Sequence, residues 1–353
     1  MKRPVGRKDS WPSVDLRALA EYVEQFSSKT IVLFGDFVAD EFEFGEISRV
    51  SREAPVLILR HRQTQLVPGG GANAANNFAD LGAKVLPVTV VGDDRNGNAL
   101  IEYFRAKKVD VSGIVSVKEW TTPTKTRFLA GWAHTVGQQV LRVDREPENP
   151  LPEQARAKLR KSLLAATKSA GALAISDYGF GVATPGLALE AASAKRRIAI
   201  PITLDARRQL HAYSRALITT ATPNEAELEA QHHTSIGQDL AELARTGHAT
   251  LSAMKLDALL VTRGRHGIAL FESGKRLTHI PVHGSDQSVD VTGAGDTVLA
   301  TYTLALACGA SALEAAHLAN IAGGLVVMKR GTATVTREEL LGAIQSEVVR
   351  APA

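Results

Sequence analysis

Residues 290–297, Asp-Val-Thr-Gly-Ala-Gly-Asp-Thr, lead directly into an apolar run at residues 298–308. The run predicts a buried helix, so Gly293 and Gly295 stand at a helix start. Glycines let a ligand approach the main chain, and the unpaired N–H groups of a first helical turn attract an anion. Asp296 would place a carboxylate beside that anion, where it can take a proton from a hydroxyl. The segment indicates phosphoryl transfer; the alternative is an ordinary helix-capping turn.

The composition is that of an ordinary folded protein. The chain has 353 residues, 44% of them hydrophobic and 22% charged, so it can bury a large core. A net charge of only +4 and an aromatic content of 5% give no reason to expect a nucleic-acid partner. The longest apolar region, residues 298–328, is interrupted by Glu314, His317 and Asn320, which predicts two packed helices rather than a membrane span.

The N-terminus and the cysteine content favour a cytoplasmic protein. Basic residues near the N-terminus are not followed by an apolar stretch, so we expect no secretory signal. The single cysteine, Cys308, is expected in the core, and it excludes both a disulfide within the chain and a Cys-based zinc site. His232 and His233 are adjacent and the other histidines are scattered, so no histidine pattern predicts a metal site.

Short apolar runs alternate with helical patterns along most of the chain. This alternation predicts an α/β fold, with a central, mostly parallel sheet flanked by helices. Two regions, residues 39–60 and 116–145, instead contain alternating segments typical of antiparallel strands, and they predict a small β-sheet lid. We expect an N-terminal extension with a short helix at residues 1–29 and one α/β domain at residues 30–350. The main-sheet strands are predicted at residues 30–34, 85–91, 171–175, 198–204, 216–220 and 258–262.

Polar residues end the predicted strands of the main sheet. Because the carboxyl ends of parallel strands meet at one edge, where ligands bind in open sheets, we expect these side chains to converge. For each of them alone, the alternative is a helix cap. They are Asp36, Asp93, Asp177, Asp205, Asn224 and Arg263.

A second glycine motif, Pro-Gly-Gly-Gly-Ala-Asn at residues 68–73, precedes an Ala-rich helix. Consecutive glycines allow a substrate to lie against the main chain, and Asn73 offers a donor and an acceptor to a hydroxylated ligand. The motif lacks the Lys-Ser/Thr of a P-loop and the spacing of a dinucleotide-binding turn. The alternative is a flexible turn with tight helix packing.

Together, the two motifs resemble the signatures of the ribokinase-like (PfkB) carbohydrate kinases. Residues 70–92, with Asn73 and Gly82, resemble the first signature, and residues 290–297 resemble the second. The resemblance extends from about residue 30 to about residue 343. It implies a ribokinase-like kinase domain at residues 30–350, ATP and Mg²⁺ as cofactors, and phosphorylation of a sugar.

The resemblance also implies site residues. Asp296 resembles the catalytic base, and Gly293, Ala294 and Gly295 resemble the anion hole. Asn224 and Glu227 resemble an Asn-x-x-Glu motif near Mg²⁺ and the ATP phosphates, with Mg²⁺ held mainly by phosphate oxygens and water. The remaining cofactor-binding candidates are Arg207 and Arg263 toward the phosphates and Asn320 toward the adenine. Asp36 resembles the sugar-binding aspartate, and the other sugar-binding candidates are Asp40, Gly70, Gly71, Asn73 and Asp177.

Within the family, the chain is most similar to the heptose 7-phosphate kinases. Residues 48–56, Ser-Arg-Val-Ser-Arg-Glu-Ala-Pro-Val, carry this likeness most specifically. It implies phosphorylation of the anomeric hydroxyl of D-glycero-D-manno-heptose 7-phosphate, toward ADP-heptose and lipopolysaccharide. The chain departs from this branch at Asp40-Glu41-Phe42, where Asp-Arg-Tyr is usual, at Phe180, where a lysine is usual, and in extra residues around 131–137. The alternatives are another sugar, sugar phosphate or nucleoside as acceptor, and a sensor without catalysis.

A phosphorylated acceptor needs positive charge around it, and the predicted lid supplies candidates. These are Arg49, Lys125, Arg127 and Arg142, and the alternative for each is a solvated surface residue. Lid strands in this family often pair with those of a second subunit, so we expect a homodimer. The bifunctional relatives add a nucleotidyltransferase domain for which this chain is too short, so we expect that step to require a separate protein.

Overall fold

The computed structural model describes residues 14–131, 138–194, 200–284 and 289–350. Its strands, in chain order, are β1 Thr30–Gly35, β2 Phe37–Val50, β3 Leu57–Gly70, β4 Lys84–Gly92, β5 Ile114–Val117, β6 Thr124–Gly131, β7 Gln138–Arg145, β8 Ala172–Asp177, β9 Ile202–Ala206, β10 Thr220–Ala221, β11 Ala258–Thr262, β12 Ile268–Glu272 and β13 Thr278–Ile280.

The helices, in chain order, are α1 Leu16–Glu24, α2 Gly71–Asp80, α3 Arg95–Ala106, α4 Glu153–Thr167, α5 Pro185–Ala194, α6 Glu225–His232, α7 Leu240–Met254, α8 Ala294–Ala307, α9 Ala312–Val326 and α10 Arg337–Arg350. Short 3₁₀ turns occur at Gln25–Ser28, Leu210–Tyr213 and Gly264–His266. No helix in the described ranges is long and apolar enough to cross a membrane.

A large sheet of nine strands forms the centre, in the order β13-β12-β11-β10-β9-β8-β1-β4-β5. The strands from β11 to β5 pair in parallel, and β12 and β13 add antiparallel pairs at one edge. The predicted central, mostly parallel sheet is therefore confirmed. β10 has only two residues and begins at Thr220. Ala216 and Ile218 of the predicted strand are buried but belong to no strand, so their apolar character reflects burial alone. β9 begins at Ile202; residues 198 and 199 of the predicted strand lie outside the described residues.

Helices cover both faces of the large sheet, and the side chains of β1 show why. Ile31 and Leu33 point into one apolar cluster, and Val32 and Phe34 point into the other, since successive side chains of a strand alternate. The first cluster also contains core residues of α1, α2, α3, α8, α9 and α10, and the second those of α4, α5, α6 and α7. Burial on both faces explains the nearly continuous apolar runs of these strands.

The smaller sheet has the order β3-β2-β6-β7. Its ranges differ from the predicted lid at three points: β3 continues to Gly70, β2 and β6 are parallel, and β5 pairs with β4 of the large sheet. Residues 116 and 117 therefore do not belong to the small sheet. The extension of β3 was missed because residues 61–65 are all polar and show no alternation. The extra residues at 132–137 lie outside the described residues.

Candidate active site

A cavity of about 530 Å³ lies between the small sheet and the carboxyl ends of the central strands. β6 and β7 contribute cations to it, the ends of β8 and β9 contribute polar groups, and the N-terminus of α8 closes it from below. Eleven of the predicted site residues line this cavity. They are Lys125, Arg127, Arg142, Arg207, Asn224, Glu227, Gly293, Ala294, Gly295, Asp296 and Asn320.

Asp296 lies in the first turn of α8, and both of its carboxylate oxygens accept a hydrogen bond. The side-chain amide of Asn73 donates to Oδ2 at 2.8 Å, and the hydroxyl of Tyr178 donates to Oδ1 at 3.0 Å. Burial raises the pKa of Asp296 to about 6, while these two bonds and the nearby Arg207 act in the opposite direction. Asp296 is thus a buried carboxylate that loses its proton near neutral pH, as a general base requires.

The turn before α8 presents main-chain N–H groups beside Asp296. Gly293 caps the helix with φ +79°, a conformation that favours glycine, and a Cβ there would lie 2.5 Å from the amide nitrogen of Asn73. The N–H of Ala294 is bonded to the carbonyl of Val291 at 3.3 Å, whereas the N–H of Gly295 has no partner within the described ranges. A free N–H at the positive end of a helix can stabilise an anion.

Asn224 and Glu227 form a capping box at the start of α6. The Asn224 side chain accepts from the N–H of Glu227 at 2.8 Å, and the Glu227 carboxylate accepts from the N–H of Asn224 at 2.9 Å. Both side chains also line the cavity, beside Asp205 at the end of β9. Burial and the nearby Glu227 and Asp296 hold the pKa of Asp205 well above its usual range. A cation accompanying a phosphate would relieve this crowding of carboxylates.

This part of the site fits Mg²⁺ carried by phosphates and water rather than a cage of protein ligands. Among the residues described, no group of three or more His, Cys, Asp or Glu side chains could hold a metal ion. Glu227 uses one carboxylate oxygen, Oε2, in the capping box, and its side chain lines the cavity. Mg²⁺ commonly keeps several waters and takes few protein ligands, so this donor set suits it.

Three of the four predicted lid cations line the cavity, but two of them are paired. Arg127 donates to Asp40 at 2.7 Å, and Arg142 makes two bonds of 2.8 Å with Asp144. Lys125 makes no ion pair in the described part of the chain, and its Nζ lies 5.5 Å from the centre of the Tyr178 ring. Arg49 is exposed on the outer part of β2 and does not line the cavity, in contrast to the prediction, because the long hairpin carries it away from the main domain.

Asp36 does not face the cavity, so its prediction as a sugar-binding residue is not supported by the geometry. Its carboxylate is fully buried and accepts the main-chain N–H groups of Tyr178, Phe180 and Val182 at 2.8–3.1 Å. The carboxylate of Asp177 also has partners within the protein. It accepts from the hydroxyl of Tyr213 at 2.7 Å and from the N–H of Gly179 at 2.8 Å. Burial and the charge of Asp177 raise the pKa of Asp36 to about 6.

The second glycine motif packs against the protein's own main chain. A Cβ on Gly71 would lie 2.8 Å from the carbonyl oxygen of Asp36, and one on Gly70 would lie 2.7 Å from Val38. Neither glycine lines the cavity, and Asn73 is fully buried against Asp296. The alternative, tight helix packing, therefore describes Gly70 and Gly71, and Asn73 supports Asp296 instead of reaching the cavity.

Asp40 and the strand-end residues Asp93 and Arg263 also lie outside the cavity lining. Asp40 is buried between Arg127 and Thr332, which donates to it at 3.0 Å. Asp93 is exposed, far along the sheet toward β5. Arg263, predicted toward the phosphates, is buried, pairs with Glu225 and donates to the carbonyl of Gly237 at 3.0 Å. The sequence shows only that Asp93 and Arg263 follow strands, and the partners of Asp40 and Arg263 lie far away along the chain.

Two of the remaining predicted residues line the cavity. Asn320 lines the cavity and donates to the carbonyl of Pro281 at 2.6 Å. Arg207 also lines it, with its guanidinium 4.1 Å from the centre of the Tyr178 ring. Tyr178 itself was not predicted as a site residue; the only signal was its place in Ser176-Asp177-Tyr178, directly after a buried strand. Other cavity-lining residues without a predicted role include Thr222, Thr262, Arg265 and Thr292.

Comparison with known proteins supports these observations. Residues 29–339 match the family model described as pfkB family carbohydrate kinase. The chain is 39% identical over 313 residues to the bifunctional protein HldE of Geobacter metallireducens, covering 89% of this chain and 62% of that protein. It is 37% identical over 324 residues to HldE of Mesorhizobium japonicum, covering 91% and 63% respectively. The chain thus spans less than two thirds of the length of these relatives.

Solved structures show the same fold at lower identity. The Escherichia coli phosphofructokinase-2 with substrates and products superimposes with a TM-score of 0.73 at 20% identity, covering 90% of this chain and 99% of the other. Arabidopsis thaliana ribokinase with ribose and ATP gives a TM-score of 0.70 at 20% identity, covering 90% and 99%. The resemblance inferred from the two glycine motifs is confirmed: the chain belongs to the pfkB family of carbohydrate kinases.

Proposed function

We propose that this chain transfers the γ-phosphoryl group of ATP to a sugar phosphate, with the anomeric hydroxyl of D-glycero-D-manno-heptose 7-phosphate as the favoured acceptor. The carrying observation is the position of Asp296 in the first turn of α8, one residue after Gly295, whose N–H has no partner among the residues that the structure describes. A base and an anion site are adjacent there, as phosphoryl transfer to a hydroxyl requires.

In this proposal Asp296 accepts the proton of the acceptor hydroxyl while the oxygen of that hydroxyl attacks the γ-phosphorus. The new bond joins the sugar oxygen to phosphorus, the bond between phosphorus and the β,γ-bridging oxygen breaks, and ADP leaves. The N–H groups at the α8 start stabilise the charge on the transferred group. Arg207 lies across the cavity and adds positive charge to the same region.

ATP would lie between Asn224 and Asn320, which both line the cavity. Glu227 and Asn224 would hold Mg²⁺ through water, and the ion would supply positive charge to the phosphates. Burial and the nearby Glu227 raise the pKa of Asp205, and a cation at this place would favour the ionised form of both groups.

The phosphate of the acceptor would lie under the small sheet. Lys125, Arg127 and Arg142 line this side of the cavity. Their support for a phosphorylated acceptor is uneven, because Arg127 and Arg142 already pair with carboxylates. The likeness of residues 48–56 to the heptose 7-phosphate kinases and the 35–39% identity to several bifunctional HldE proteins favour the heptose.

The pairing of two lid arginines favours one alternative, an unphosphorylated sugar as acceptor. An ADP-release assay should compare heptose 7-phosphate, the same heptose without phosphate, fructose 6-phosphate, ribose and adenosine, with Asp296→Asn as the blank. We expect the highest kcat/KM with heptose 7-phosphate and an anomeric phosphate signal in the ³¹P NMR spectrum of the product. Turnover of the plain heptose at equal or higher kcat/KM would contradict the phosphorylated acceptor. Binding without any turnover would instead indicate a sensor.

We also propose a cytoplasmic homodimer that pairs through the small sheet. β7 lies at the free edge of this sheet, every residue of it is exposed, and it carries Val140, Leu141 and Val143. An exposed apolar edge strand is a template for pairing. Light scattering should give twice the monomer mass for the wild type and the monomer mass for Leu141→Lys.

A further inference from the structure

Tyr178 connects three parts of the site. Its hydroxyl donates to Oδ1 of Asp296 at 3.0 Å, while Arg207 lies 4.1 Å and Lys125 5.5 Å from its ring centre. Lys125 belongs to β6 of the small sheet, and Arg207 follows β9 of the large sheet. Tyr178 is thus the residue at which the base and cations from both sheets meet.

The main chain at Tyr178 is fixed independently of its side chain. Asp36 accepts the N–H of Tyr178 at 2.8 Å and those of Phe180 and Val182 at 3.1 and 3.0 Å. A buried carboxylate with three such donors holds the segment after β8 in one conformation. This fixed main chain therefore places the hydroxyl of Tyr178 within hydrogen-bond distance of Asp296.

Two side chains from different helices and loops hold the carboxylate of Asp296. Asn73 at the start of α2 donates to one carboxylate oxygen and Tyr178 to the other. Each oxygen of an ionised carboxylate has a second acceptor site, so an acceptor hydroxyl can still bond to Asp296 without displacing either partner. The carboxylate is oriented before the substrate arrives.

We propose that Tyr178 is a positioning residue, whose hydroxyl holds Asp296 in the orientation and the ionised form that accept the proton of the acceptor hydroxyl. This inference rests on the proposed function, because it takes Asp296 as the base. It adds a role for the Tyr178 hydroxyl in the pH dependence of the reaction.

The surroundings of Asp296 give the direction of the effect. Burial raises its pKa to about 6, Asn73, Tyr178 and Arg207 lower it, and the charge of Asp40 raises it. Asp205 and Glu227 are the other acidic groups close by. Removing the Tyr178 hydroxyl removes one donor to the charged form, so the pKa of Asp296 should rise further.

The test is the pH profile of kcat/KM for Tyr178→Phe, measured with whichever acceptor the wild type turns over. Phe keeps the ring between the two cations and removes only the hydroxyl. The acidic limb should move upward by roughly one pH unit, which is about a fivefold loss at pH 6, with recovery toward wild-type values above pH 8. An unmoved midpoint, or an equal loss at every pH, would overturn the proposal.

Tyr213→Phe is the matched control. Its hydroxyl donates to a different buried carboxylate, Asp177, at 2.7 Å, and it does not contact Asp296. We expect this variant to lose stability but to keep the wild-type midpoint. A shift in Tyr213→Phe equal to that in Tyr178→Phe would show that any lost phenol–carboxylate bond moves the profile, which also overturns the proposal.

A second measurement separates this inference from the proposed function. In protein labelled with ¹³C at the aspartate carboxyl carbons, the Asp296 resonance is the one lost in Asp296→Asn. Its titration midpoint should be higher in Tyr178→Phe than in the wild type, whatever the acceptor. A raised midpoint in a protein that phosphorylates no sugar would sustain the contact while refuting the kinase assignment, and an unchanged midpoint would refute the role of Tyr178 alone.

Discussion

The side-chain amide of Asn73 donates to a carboxylate oxygen of Asp296 at 2.8 Å, although 223 positions separate the two residues. This bond joins the first glycine motif, at the start of α2, to the second, at the start of α8. The close approach of the two helix starts requires Gly293, because a side chain there would meet Asn73. The two motifs are therefore halves of one structure around the base.

Asp296→Asn should lower kcat by roughly 10²–10⁴-fold with little change in ATP binding, since the amide cannot take the proton. Steady-state kinetics and calorimetric titration with ATP check this. Unchanged turnover would refute the assignment of the base.

The same variant should be more stable than the wild type above pH 6. The folded-state pKa of Asp296 is raised from 3.8 to about 6, so ionising it costs the folded protein stability, and wild-type stability falls as pH rises through this window. The variant should gain roughly 2–3 kcal/mol at pH 8 and nothing below about pH 4. Urea unfolding at both pH values tests the sign; a larger gain at low pH would contradict it.

Asn73→Asp should lower activity at neutral pH by at least about tenfold, because two carboxyl groups at this distance cannot both ionise and the pKa of Asp296 rises. Asn76→Asp is the control on the same helix. The side-chain oxygen of Asn76 accepts from Lys107 at 2.6 Å, so the lysine would stabilise a carboxylate at this position. Equal losses in both variants would indicate general damage to α2. The measurement is kcat/KM between pH 5 and 9.

Gly293→Ala and Gly295→Ala should separate stability from activity. At Gly293 the methyl group meets Asn73 in a backbone with φ +79°, so we expect a loss of about 2 kcal/mol or more in unfolding free energy. At Gly295 nothing lies within 4 Å of the new Cβ, so stability should be kept or slightly raised, while the methyl group occupies the proposed anion site and lowers kcat. Thermal unfolding and kinetics of both variants test this pair. Wild-type kcat in Gly295→Ala would argue against the anion site.

Lys125→Met should raise the KM for a phosphorylated acceptor by about tenfold and leave the KM for the plain sugar nearly unchanged, because an ion pair with phosphate is lost. Arg60→Met removes a cation from β3 that is exposed and lies outside the cavity, and it should change neither value. If the KM rises equally for both acceptors in Lys125→Met, the lysine does not bind the phosphate of the acceptor.

The fold was predictable because its signals are local. Most strands of the large sheet are short apolar runs, and several helices begin with a local capping signal, as Asn224 and Ser311 show with their capping boxes. The identity of Asp296 as the candidate base was also readable, since its whole motif lies in eight consecutive residues.

The contacts of the site could not be predicted in the same way. In the sequence, a strand-ending carboxylate such as Asp36 is predicted to bind a substrate. Only the folded chain shows that three main-chain N–H groups already donate to it. In the sequence, Arg263 is predicted to bind phosphate. The folded chain shows that it pairs with Glu225 instead. Glu41 reverses the usual charge of its position, and the structure surrounds it with Thr126, Arg95 and Arg145, so this departure is compensated within the protein.

Asp36 is the single residue between β1, which ends at Gly35, and β2, which begins at Phe37. Its carboxylate also accepts the main-chain N–H of Tyr178, whose hydroxyl donates to Asp296. One buried side chain therefore joins the first connection into the small sheet to the support of the proton acceptor. Asp36→Asn should disturb both at once, so that a loss of stability and a loss of turnover appear together.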